Sequence, residues 1–186
     1  MRNSCRKRPL LRKSQRLFHH SRLFLLLTVV LALAGCHRVT VYHHFENINI
    51  GGWEKPDTLW FCMPPAKSAA MLHEEVELRV SDRYPFQGVS LVIEQTTIHT
   101  SQSAQLTPLT LHPSPLTNVR TDTLHCSLIN HDGSFKVKGI VYHQYHFHLT
   151  DLSVDEGDSI RIAVRHAMRR ETLPGIVDVG IKLQSY

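Results

Sequence analysis

Four cysteines and fourteen histidines are the side chains in this 186-residue sequence best suited to act as nucleophiles, metal ligands or proton carriers. Twelve of the histidines lie after residue 35. His146 and His148, at positions i and i+2 of an alternating stretch, share one strand face about 7 Å apart, and His143 points to the other face. That pattern suits a surface metal site, or a face that charges near pH 6.5. No carboxylate sits on the same strand face within reach to complete a ligand set, so the histidines are read as polar surface residues and no metal site is expected. His43 and His44 form a second group. Asp151, Asp155, Glu156 and Asp158 form an acidic cluster, but their spacing does not fit a calcium-binding EF-hand loop, and solvated turn acids are expected instead. The sequence has no Gly-x-Ser-x-Gly elbow, no phosphate-cradling glycine loop and no His-Glu-x-x-His. No catalytic residue and no cofactor are assigned, and the chain is read as a non-enzyme.

Cys36 stands apart from the other cysteines because of what precedes it. Residues 1–35 carry eight basic side chains and no acid, and a charge-free stretch of twelve residues runs from Leu23 to Ala34. A membrane-spanning helix needs about 20 apolar residues, so twelve fits the hydrophobic region of a signal peptide. The run closes with Leu33-Ala34-Gly35-Cys36, which resembles the bacterial lipobox. Small residues let the backbone enter a peptidase cleft, and the cysteine thiol accepts diacylglycerol. The expectation is a lipoprotein signal peptide over 1–35 containing a signal helix, with Cys36 as the lipidated mature N-terminus. Multiple acyl chains would hold the protein to a membrane, since each buried CH₂ contributes about 0.8 kcal/mol. The residue after Cys36 is not aspartate, which implies sorting to the outer membrane, with the periplasmic face favoured.

Two cysteines remain in the mature chain, Cys62 and Cys126. In an oxidising compartment they either form a disulfide, closing a loop of about 65 residues worth around 4 kcal/mol, or act as two small apolar side chains. With the leader set aside, 13 basic groups face 16 acidic ones, a net charge of −3. A body of that charge has no electrostatic footprint for nucleic acid.

The elements that must position these residues read as strands. Val76, Leu78 and Val80 alternate with Glu75, Glu77 and Arg79, and Val89, Leu91 and Ile93 repeat the pattern. Ile160, Ile162 and Val164 do so again, as do Tyr145, Phe147 and Leu149, and finally Val177, Val179, Ile181 and Leu183. A single helical turn near Ala66–Leu72 is the one exception. Turns are expected at Asn130–Gly133, Asp155–Asp158 and Pro174-Gly175. Residues 98–120, rich in Ser, Thr and Pro, read as a long mobile loop. The fold class is all-β, a single antiparallel β-sandwich of jelly-roll or Ig-like type over residues 51–186. Residues 36–50 serve either as a tether or as the first strand. Trp53, Trp60, Phe61, Tyr84, Phe86, Tyr142, Tyr145 and Phe147 supply either the core or an aromatic platform for sugar.

Several segments resemble a known family. His166 to Leu183, with Pro174-Gly175 followed by Ile176-Val177-Asp178-Val179-Gly180, looks like the closing motif of the GldH family, the gliding motility-associated lipoproteins of Bacteroidota. Trp53-Glu54-Lys55 with Asp57–Phe61, Val80 to Phe86 continuing through Ile93, and Asp122-Thr123-Leu124 to Asp132-Gly133 are similar to three earlier family segments in the same order. The resemblance spans residues 36–185. It implies a lipid-anchored, non-enzymatic accessory or scaffold of the gliding and type IX secretion machinery, whose partners are the membrane and envelope proteins of that complex. The alternative is a β-sandwich lipoprotein that binds a glycan or other ligand at the outer membrane.

Overall fold

The structure is a computed structural model describing residues 38–100 and 116–186. The signal helix, Leu33, Ala34, Gly35 and Cys36 lie outside the described residues. Among the described residues ten strands follow one another: β1 (Val39–Asn47), β2 (Trp53–Glu54), β3 (Leu59–Met63), β4 (Ala70–Val80), β5 (Gly88–His99), β6 (Leu116–Ser127), β7 (His143–Val154), β8 (Ser159–His166), β9 (Thr172–Leu173) and β10 (Ile176–Ser185). Among the described residues no helix is long and apolar enough to cross a membrane.

Sheet I has the order β1-β10-β4-β7 and sheet II the order β3-β8-β5-β6, with every pairing antiparallel. A two-residue ladder pairs β2 with β9. Set that ladder aside and number the other eight strands by appearance: the sheets then read 1-8-3-6 and 2-7-4-5. Those are the two interlocked Greek keys of a jelly roll. An Ig-like order would place consecutive strands side by side within a sheet, whereas only β5 and β6 do so here.

Alternation explains the layering. Leu72, Val76, Leu78 and Val80 of β4 are buried with Val179, Ile181 and Leu183 of β10 on the inner face of sheet I. Phe61, Leu91, Ile93, Ile160, Ile162 and Val164 answer them from sheet II, and all belong to one apolar core. Each aliphatic side chain buried this fully contributes roughly 1.5–3 kcal/mol.

One open alternative is decided and three local expectations change. Val39–Asn47 is a strand paired with β10, the first-strand alternative for residues 36–50, and it adds β1 to the sandwich. The expected 98–120 loop is shorter at both ends, because Ile98 pairs with Thr117 and His99 with Leu116, extending the β5–β6 hairpin. Ala70–Leu72 already belongs to β4, so no helical turn forms there. A register shift between Ile176 and Asp178 puts Ile176 in the core and leaves Val177 half-buried, where simple alternation had placed Val177 inside. The Pro174-Gly175 turn is present, with Gly175 at φ +83°.

Cys62 and Cys126 are free thiols. They sit on β3 and β6, the two edges of sheet II, three strand spacings (about 14 Å) apart across the sheet and offset further along it by the register. Cys62 is exposed and Cys126 is buried, so they also face opposite ways. A disulfide needs Cα atoms within about 7 Å, and the candidate bridge is therefore not formed. Burial pushes the Cys126 thiol up to about 12, consistent with a small apolar side chain.

Candidate functional site

The outer face of sheet I collects histidines and carboxylates that are far apart in sequence. Antiparallel register sets them in rows across the strands. Asn47, Asp178, Arg79 and Gln144 form one row, and Phe45, Gly180, Glu77 and His146 the next. Then come His43, Lys182, Glu75 and His148, followed by Gln184, His73 and Asp151. Cross-strand neighbours on one face lie about 5 Å apart, close enough to interact.

A bulge completes the arrangement. Glu74 pairs with Thr150, but Glu75 pairs with His148, so Leu149 is the extra residue on β7. One inserted residue reverses the alternation beyond it. Asp151 thereby joins His146 and His148 on the outer face, and β4 supplies Glu75 and Glu77 beside them. The premise that no carboxylate lies within reach of these histidines does not hold. His143 points inward as its position requires, stacking on Phe135 with centroids 3.9 Å apart and lying 2.8 Å from Asp82 Oδ1.

Glu77 is the centre of the face. Its side chain is only 1% exposed although it projects outward. A carboxylate removed from water needs compensating donors. His146 Nδ1 lies 3.2 Å from Oε1, while His43 Nε2 and Gln144 Nε2 each lie 3.2 Å from Oε2. Gly180, directly opposite Glu77, makes room for this: a Cβ there would come within 2.7 Å of the Phe45 ring. Phe45 lies under the Arg79 guanidinium, 3.8 Å away, and Arg79 in turn bonds Asp178 and Gln144 at 3.2 Å. Asn47 Nδ2 donates to the same Asp178 carboxylate.

A second group stands beside the first. The rings of His73 and His148 stack at 4.3 Å with 5° between their planes. His73 Nδ1 is 2.8 Å from Asp151 Oδ1, which also accepts from the Tyr186 hydroxyl at 3.1 Å. The hydrogen bond from His73 holds the Asp151 carboxyl below the usual range. Glu75 bridges the groups, 3.5 Å from His73 Nε2 and 3.5 Å from Lys182 Nζ. With neutral histidines, four carboxylates (Glu75, Glu77, Asp151, Asp178) outnumber two fixed cations (Arg79, Lys182), so the face favours cations.

The other sequence candidates are dispersed. Asp158 is fully buried, not solvated: its Oδ2 lies 2.8 Å from His99 Nδ1 and accepts from the Asp155 amide at 3.1 Å. Asp151 belongs to the outer face of sheet I instead, so the acidic run does not converge. His44 bonds Glu46 at 3.0 Å, away from Glu77. Of the eight aromatics, Trp53, Phe61, Tyr84 and Tyr145 are buried, while Trp60 and Tyr142 are exposed. Trp60 lies under Arg161 on β3, and Tyr142 lies near Arg79 beside sheet I. Trp60 belongs to sheet II and Tyr142 flanks sheet I, so these two form no shared sugar platform.

Two further features were not visible in the sequence. One end of the domain has a cleft of about 510 Å³ lined by Val39, Val41, Met63, Pro64, Pro65 and Tyr186 among others. Between the sheets, Glu74 is fully buried and neither carboxylate oxygen has a hydrogen-bond partner among the described residues. Desolvation raises its pKa to about 7, opposed by Arg120 and reinforced by Asp122. Gln95 Oε1 and Asp158 Oδ1 are also buried without hydrogen-bond partners among the described residues.

Solved structures offer only distant likenesses. An aminopeptidase from a marine sediment Thaumarchaeota archaeon and an α-amino acid ester hydrolase each align over 81% of this chain and 31% of their own, at 8% identity and a TM-score of 0.36. The chain spans about a third of their length, and at that score the likeness carries no functional argument. The gliding motility lipoprotein GldH of Flavobacterium johnsoniae is 23% identical over 169 residues, covering 86% of this chain and 94% of that protein. Residues 40–183, which take in all but the ends of the jelly roll, match the model of the family described as GldH lipoprotein, and the chain belongs to that family.

Proposed function

We propose that this protein is a non-enzymatic accessory of gliding motility and type IX secretion machinery, held by lipid on Cys36 at the periplasmic face of the outer membrane. The observation that carries this reading is the family match over residues 40–183, together with the near full-length relative named for gliding motility. Chain geometry agrees with it. β1 starts at Val39, three residues after Cys36, a reach of roughly 10 Å. Val39 and Val41 are exposed at 58% and 45%, and both line the cleft with Pro64 and Pro65. A lipidated Cys36 would bring this apolar end to the bilayer and leave the polar face of sheet I available to envelope proteins.

The test is a crosslinking pull-down from membranes with tagged full-length protein, compared with a Cys36→Ser variant. The expected result is lipid on Cys36 by mass spectrometry and recovery of motility or secretion proteins, lost when Cys36 is replaced. Unmodified Cys36, or the absence of any envelope partner in both samples, would refute it.

A further inference from the structure

We propose that Glu77, His146 and Glu75 form a binding site for one zinc-like divalent cation, with His43 as a positioning residue. The site lies on the outer face of sheet I and is independent of the function proposed above.

The ligand atoms of Glu75, Glu77 and His146 all lie within 4.8 Å of one another. His146 Nδ1 and Glu77 Oε1 are 3.2 Å apart. That is about the edge between two ligands on a tetrahedral ion with bonds near 2 Å. Glu77 is preorganised: its second oxygen is held by His43 Nε2 and Gln144 Nε2, each at 3.2 Å, which fixes the carboxylate plane and leaves Oε1 to the ion. Burial of Glu77 limits competition from water, while His146, 48% exposed, gives the ion a path in. One imidazole with two carboxylates suits zinc better than magnesium, which prefers six oxygens including several waters.

The adjacent trio of His73, His148 and Asp151 also clusters within 4.8 Å but does not suit a shared ion as it stands. Its imidazoles are stacked with planes only 5° apart, so their in-plane lone pairs do not converge on one point. The fixed cation that opposes the proposed site is Lys182, 3.5 Å from Glu75 Oε2, and its charge repels an incoming ion.

Isothermal titration of the full chain in detergent with zinc chloride tests the assignment. The expected result is saturable binding of one ion that magnesium at equal concentration does not block. His146→Ala should weaken it by more than ten-fold, and His43→Ala by about ten-fold through loss of positioning. His148→Ala should leave it unchanged, and Lys182→Met should tighten it. Positions 43, 146 and 148 are all partly exposed, and circular dichroism with thermal melting confirms that each variant folds. No saturable heat, or equal loss in His148→Ala and His146→Ala, would overturn the proposal.

Discussion

Glu74 should destabilise the protein increasingly as pH rises, and replacing it should strengthen the fold. Its side chain is fully buried on the inner face of β4 with both oxygens unpartnered. Loss of hydration moves its pKa from 4.5 to about 7, against the pull of Arg120 and with the push of Asp122. Because the folded value is the higher one, the native state holds the proton more tightly between these limits. Stability attributable to Glu74 is therefore fully present below pH 4.5, falls as pH rises through about 7, and is lost above it. Each tenfold change in proton affinity is worth about 1.4 kcal/mol, so the full difference is about 3 kcal/mol. Urea unfolding of wild type and Glu74→Gln from pH 4.5 to 8 reads this directly, because other titrating groups cancel when the two proteins are compared. From pH 4.5, the stability of the variant relative to wild type should rise by about 0.4 kcal/mol by pH 5 and by roughly 3 kcal/mol by pH 8. A glutamine amide in this pocket is short of partners, so the slope with pH carries the test, and Glu74→Met, which removes the polar group, should show the same slope. A flat difference across this range, or a variant that weakens with rising pH, would refute the argument.

Other outcomes follow from particular contacts. Under native conditions a thiol reagent should modify Cys62 readily and Cys126 only on unfolding, since Cys126 is buried with its thiol pushed up to about 12; two protected thiols, or none, would contradict the geometry. Gly180→Ala should cost roughly 1–3 kcal/mol in chemical denaturation, because the new methyl group meets the Phe45 ring at 2.7 Å and lifts the cover from Glu77. Gly175→Ala should cost a similar roughly 1–3 kcal/mol, since its φ of +83° strains an L side chain and its Cβ would lie 2.5 Å from the Tyr84 amide nitrogen. Unchanged melting of either glycine variant would show that its backbone is less constrained than these contacts indicate.

The fold was largely legible because its core obeys a period of two. Val76, Leu78 and Val80, then Val89, Leu91 and Ile93, then Ile160, Ile162 and Val164 are buried as their alternation requires. Asn130–Gly133 and Pro174-Gly175 carry turn chemistry that places the breaks. The order of strands was not legible. Alternation says which face is buried but not which strand lies beside which, so jelly-roll and Ig-like orders share the same pattern and only the pairing separates them. Composition also misled at residues 98–120, where Ile98 and His99 continue a strand whose hydrogen-bonding partners begin at Leu116.

The outer face of sheet I was hidden for a more specific reason. A metal or proton-relay site on a helix or in one loop leaves a spacing that can be read, because its ligands come from one local segment. Here Glu77 and His146 are 69 positions apart, and antiparallel pairing alone makes them neighbours. The one carboxylate on the same strand, Asp151, has the wrong parity until the bulge at Leu149 reverses it. His43 arrives from β1, the strand nearest Cys36 in sequence, and reaches Glu77 diagonally across β10, over the space Gly180 leaves open. A bulge and a glycine, weak signals singly, thus turn a scatter of polar residues into a compact constellation. The same logic says where to look in other members of the fold: at the parity of carboxylates on either side of a register shift, and at a glycine opposite a buried acid.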